Sequence, residues 1–115
     1  MTEKYTRNFE NYTQLVFGLA IEYNNSLLVG EKDKIIIHYS KLKGKADSID
    51  ANKLAEKSLF SKMELESSRD FIEQCSPLVE KLKTANLCAV ERANLCSYLA
   101  SAGVILNLLD KEQTF

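Results

Sequence analysis

The sequence predicts an all-α fold, a single-domain antiparallel bundle of four or five helices spanning residues 1–115, and three observations carry that expectation. Four Gly and one Pro in 115 residues leave too few turn-formers for a many-stranded β protein. Apolar residues recur at helical spacing from the start, at Tyr5, Phe9, Tyr12, Val16, Leu19 and Tyr23. The last part of the chain, roughly Thr84 to Asp110, is a nearly uncharged apolar stretch that needs burial on every side. At 45% hydrophobic content a chain of this length supports one ordinary core.

Residues 2 to about 24 form the first helix, with an aromatic-rich stripe facing the core and Phe17 lying off it. Asn24, Asn25 and Ser26 interrupt that stripe, so the chain to Gly30 is expected to be a connection. The β-branched run Lys34–Tyr39 has strand character, but Ile35, Ile36, Tyr39 and Leu42 also share a helical face. Helix is preferred, because no second strand signal exists to pair with it and a lone strand leaves its backbone unsatisfied. Gly44 is expected to close this helix, and Asp47 or Ser48 to cap another beginning near Ile49. The apolar positions from Ile49 to Cys75 do not keep one face, which points to a kink or restart near Glu66, at the cap-like Ser67-Ser68-Arg69-Asp70. Ser76-Pro77 is the clearest punctuation and predicts a new helix start. Whether that helix pauses near Thr84 to Asn86 is left open by the sequence.

The C-terminal stretch is the most informative. Ala85, Ala89, Ala93, Ser97 and Ser101 recur every four residues, a row of small side chains suited to close approach of another helix from this chain or from a second one. No charge follows Arg92 until Asp110, yet Ala93–Leu109 is shorter than the roughly 20 residues that span a bilayer and contains Asn94, Ser97, Ser101 and Asn107, so a membrane span is not expected. The polar start of the chain, Met1 to Asn8, lacks the character of a signal peptide, and a cytoplasmic location is expected. Of the three cysteines, Cys88 and Cys96 would stand about 12 Å apart on one helix at about 1.5 Å per residue, too far for a disulfide, and free thiols are expected.

Charge nearly cancels, with a net −1, so no global field draws in nucleic acid or an anionic surface. The charges are nonetheless uneven. Lys41, Lys43 and Lys45, with Lys32 and Lys34, make a basic cluster, whereas Glu64, Glu66, Asp70 and Glu73 make an acidic one. Two opposite clusters suit plain solubility and also steering toward a partner protein. The basic cluster holds no Arg, Asn or Gln to meet base edges, so nucleic-acid binding is the third-ranked reading.

His38 is the only histidine, and no phosphate loop, nucleophile elbow or zinc motif is present, so neither catalytic residues nor a cofactor are assigned. The expected function is therefore a small non-enzymatic module that binds another protein, of the kind represented by toxin-neutralising immunity proteins, secretion chaperones and inhibitors. A homodimer through the C-terminal helix is a further expectation. The competing expectation is a helical enzyme or small-ligand binder with Tyr12, Tyr23, His38 and Arg92 around a pocket between helices.

Overall fold

The computed structural model describes residues 2–113, with side chains over residues 12–109. Among these the chain forms five α-helices and no strand: α1 (Thr2–Leu28), α2 (Lys32–Ser48), α3 (Ala51–Lys57), α4 (Leu59–Thr84) and α5 (Ala89–Gln113). The fold is an all-α bundle. Tyr5 and Phe9 lie outside the described side chains, while Tyr12, Val16 and Leu19 pack against the core and Tyr23 enters it.

Six boundaries differ from the sequence expectation, each for a local reason. Helix α1 runs through Asn24, Asn25 and Ser26 because Leu27 continues its buried stripe. It stops at Gly30, whose φ of 86° is the left-handed conformation that glycine adopts without a Cβ penalty. There the Glu31 N–H donates to the Ser26 carbonyl at 2.9 Å and the Gly30 N–H to the Leu27 carbonyl at 3.2 Å, the paired bonds of a Schellman end. Residues 34–39 are helical, and α2 passes through Gly44, since Ala46 beyond it is buried. The cap of the next helix is Asp50, not Asp47 or Ser48: its carboxylate accepts from the N–H groups of Asn52 and Lys53.

The break expected near Glu66 occurs instead at Ser58, whose hydroxyl accepts from the Ser61 N–H. The Ser67-Ser68 pair lies inside α4, with the Ser68 hydroxyl turned back to donate to the Leu65 carbonyl at 2.7 Å. Pro77 starts no helix and sits inside α4. The carbonyl it orphans belongs to Glu73, on the exposed side of the helix where water reaches it, while Cys75, Val79 and Leu82 keep the buried stripe continuous. The pause comes at Ala85, which is extended with φ −153°, so α5 begins at Ala89 rather than near Thr84.

Helix α5 packs most extensively against α4 and α1 and also against α2, whereas α1 and α4 do not approach each other among the described residues. Three helices thus surround the last one. From Leu99 to Ala102 four consecutive residues are buried, and Val104, Ile105, Leu106 and Leu109 follow, so the stretch from Leu99 to Leu106 is covered all round while Asn107 beyond it is exposed. Each fully buried Leu contributes about 1.5–3 kcal/mol. The antiparallel pair α2 and α4 is held at both ends by cations. Arg69 of α4 donates to the Ala46 and Ile49 carbonyls at the end of α2, both at 2.9 Å, and Lys32 of α2 reaches the Leu82 and Ala85 carbonyls at the end of α4.

Gly103 lies where α5 meets both α1 and α2: a Cβ there would stand 3.6 Å from Leu42 Cδ1 and 3.9 Å from the Tyr23 hydroxyl, ordinary contact distances. Gly103→Ala is therefore expected to stabilise the protein by about 0.5–1 kcal/mol through helix propensity, measured as a shift of the urea midpoint. A loss of stability would show that the α1–α2–α5 junction has no room for a methyl group.

Candidate functional site

The row of small residues foreseen as a buried packing seam turns mostly to solvent. Ala85 belongs to the end of α4, Ala89, Ala93 and Ser97 are exposed, and only Ser101 is buried. The cause is the three-sided cover of α5, which leaves the outer side of its first half, with Val90 and Asn94, without a neighbouring helix. At 100° per residue, Ala89 and Ala93 project away from Tyr98, the residue that stacks on Phe71 of α4, and so lie on the α1 side of the helix.

On α1, Phe17, Ile21 and Leu28 fall within about 40° of one another, on the flank next to Asn24, whose amide oxygen accepts from Arg92 Nε of α5 at 2.9 Å. They are 68%, 48% and 59% exposed. Val90 of α5 is 69% exposed. Both stretches are uncharged and exposed, with large apolar side chains on the outer flank of α1 and small ones on the first half of α5. Exposed apolar clustering of this kind marks interaction surfaces more often than scattered single residues do.

The two charged clusters separate differently from their order in the sequence. Glu66, Asp70 and Glu73 share the exposed side of α4, with Lys62 3.8 Å from Glu66, whereas Glu64 lies half-buried on another flank. Arg69 belongs to the core-side clasp described above rather than to the acidic face. On α2, Lys41 and Lys45 share a flank with Lys34 and the exposed Ile37; Lys43 projects on the opposite flank, the one from which Lys32 reaches α4. The basic cluster is thus divided in two.

Of Tyr12, Tyr23, His38 and Arg92, the structure brings only Tyr23 and His38 together. Their Oη–Nε2 distance is 2.6 Å, and in the ring tautomer with its proton on Nδ1 the hydroxyl donates to the imidazole. Burial, helped by Glu22, pushes the Tyr23 hydroxyl up to about 12. Burial and then the Lys41 charge lower His38, opposed by Glu22, so the neutral ring is favoured. Cys75 and Cys96 are buried free thiols, pushed up to about 12 and about 11 chiefly by burial, and neither is a thiolate near neutral pH. Cys88 is free and exposed at the entry to α5. Its backbone N–H donates at 3.0 Å to Glu91, which also accepts from Lys81 at 2.7 Å; these bonds, that from Lys81 foremost, lower the Glu91 carboxyl to about 2. This is the return half of a capping box, made by the Glu at the third helical position. Among the described residues no three His, Cys, Asp or Glu side chains gather as metal ligands, and no helix is long and apolar enough to cross a membrane.

Sequence reasoning missed the roles of Lys32 and Arg69, since a helix-end carbonyl acceptor becomes a partner only when the neighbouring helix is in place. The available signal was Arg69 itself, next to the buried Ser68 on the core side of an otherwise acidic segment.

Because the folded state holds His38 below its ordinary 6.5, its contribution to stability is present above that value and is lost as pH falls through the lowered one. The urea midpoint is expected to decline on acidification from about 6.5, and His38→Gln to flatten that step; an unchanged profile would remove His38 from the pH dependence. A thiol reagent under native conditions is expected to modify Cys88 rapidly and Cys75 and Cys96 only on unfolding, read by mass spectrometry of the peptides. Compared with protein-family models, with curated proteins and with solved structures, the chain matches none of them.

Proposed function

We propose that this protein is a small cytoplasmic, non-enzymatic module that binds one partner protein through the outer face of α1 and α5. The observation that supports this reading most is the exposure of Phe17 and Ile21 on α1 and of Ala89, Ala93 and Ser97 on α5, all uncharged and on two helices that pack together. Large apolar side chains flanking a shallow row of small ones suit a helix laid into the groove, the small row permitting close approach. Acidic Glu66, Asp70 and Glu73 on α4 and basic Lys34, Lys41 and Lys45 on α2 flank the molecule with opposite charge and suit steering of a complementary partner. An immunity protein, a secretion chaperone and an inhibitor all use such a surface in the same way, by occupying a partner. A second copy of this chain is the alternative occupant. The division of the lysine cluster between two flanks of α2 disfavours the nucleic-acid reading, which needs a continuous basic track.

Tagged protein in native lysate is expected to retain one stoichiometric partner at low salt. The Phe17→Ser, Ile21→Ser double variant, whose changes lie at exposed positions, is expected to lose that partner while keeping its helical circular dichroism. Recovery of no partner, together with a solution mass of one chain, would overturn the reading; a mass of two chains abolished by the double variant would make the partner a second copy.

A further inference from the structure

At the end of the bundle where α1 turns into α2 and α4 into α5, a cleft of about 300 Å³ opens between the elements. Leu27, Leu82 and Leu87 supply apolar wall, and Lys32, Asn86 and Arg92 supply the polar lining. No carboxylate lines it. Neither cation has a carboxylate elsewhere among the described residues. Lys32 Nζ meets only the Leu82 and Ala85 carbonyls, at 3.5 and 3.4 Å, the long limit of a hydrogen bond. Arg92 uses Nε on Asn24 at 2.9 Å and Nη1 on the Leu87 carbonyl at 3.5 Å, which leaves Nη2 and its two N–H donors unspent.

Two positive charges beside an apolar cleft that meet only carbonyls and an amide, and no carboxylate, form an unusual pairing, because a cation against leucine side chains loses hydration that no acid replaces. The pairs Lys34–Glu31, Lys62–Glu66, Lys81–Glu91 and Lys83–Glu80, by contrast, join opposite charges at least partly exposed to water. We propose that this cleft binds a small carboxylate with a compact apolar body, a medium-chain fatty acid in chemical class. The Arg92 guanidinium offers its free Nη2 donors to a carboxylate, Lys32 adds a second charge from the α2 side, and Asn86 offers an amide at the rim. The leucines receive the hydrocarbon. A volume of about 300 Å³ limits the body to a short alkyl chain, and decanoate serves as the probe. Leu28 of the outer α1 face also lines the cleft, while Lys32 and Arg92, on which the test turns, are not part of that face.

The test is calorimetric titration of the full chain with sodium decanoate below its micellar range, beside 1-decanol and decyltrimethylammonium, with backbone NMR shifts to locate the site. The expected result is saturable one-to-one binding of decanoate that shifts resonances around Leu27, Leu82 and Leu87, with the alcohol weaker by about tenfold or more and the cation not bound. Lys32→Met is expected to weaken decanoate by about tenfold while leaving decanol unchanged, and Arg92→Gln to do the same or more. Lys32→Met carries the comparison alone if loss of the Asn24 bond unfolds the Arg92 variant. Absence of saturable binding, equal affinity for decanol, or undiminished binding by a folded Lys32→Met protein would each overturn the proposal.

Discussion

The architecture depends on one demand: the stretch of α5 from Leu99 to Leu106 places buried residues on every side of the helix and must be removed from water around its circumference. A helix that is wet on one side can be served by two neighbours, but this one needs cover from α1, α2 and α4 together. The other helices are arranged to meet it. Tyr12, Val16 and Leu19 of α1 press against the core, Leu42 of α2 comes within 3.6 Å of where a Gly103 Cβ would lie, and Phe71 of α4 stacks on Tyr98. The side chains that do this are mostly Leu, Ile and Ala with few polar atoms, which is why no buried side-chain nitrogen or oxygen among those described is left without a partner.

Enclosing one helix with three others sets the helix ends at close quarters, and there electrostatics takes over from packing. The last carbonyls of a helix carry partial negative charge and have no acceptor role inside it. In the α2–α4 pair each end receives a cation from the other helix, Arg69 in one direction and Lys32 in the other. Arg69 is the firmer of the two, with three bonds from one planar group to the Ala46 and Ile49 carbonyls. Lys32 holds its carbonyls loosely and keeps donors to spare. The same bundle end gathers Arg92, so the geometry that closes the helix termini also concentrates positive charge beside leucines.

Enclosure is complete only where α5 is most apolar. Its first half carries Glu91 and Arg92, fixes its start through the Glu91–Cys88 cap, and tolerates an outer side open to water. The surface left over is uncharged because the row that forms it is Ala, Ala and Ser. Its partners on α1 are large because Phe17, Ile21 and Leu28 fall on the flank turned from the core. The apolar outer face and the cationic cleft therefore arise from the two ways in which α5 is incompletely covered, along its side and at its end.

The sequence by itself determined the helical class, the buried stripe of α1, the helical state of the isoleucine run and the all-round burial of the late part of α5, because each is a property of local periodicity and composition. It also determined which residues are charged, but not which of them meet. Glu66, Asp70 and Glu73 came together as one turn-spaced face, whereas Glu64 and Lys43 were carried to other flanks by the 100° step of the helix. Pro77 and Ser67 were misleading because their local preference for a helix start is outweighed when Cys75, Val79 and Leu82 are buried on the side away from them. The small-residue row was legible as a row; whether it faced a helix or water was settled only by the number of helices available to surround α5. The Arg69 and Lys32 clasps, the Tyr23–His38 bond and the cleft are decided by tertiary structure alone, since each joins residues from elements that have no reason to meet until the apolar helix draws them around itself.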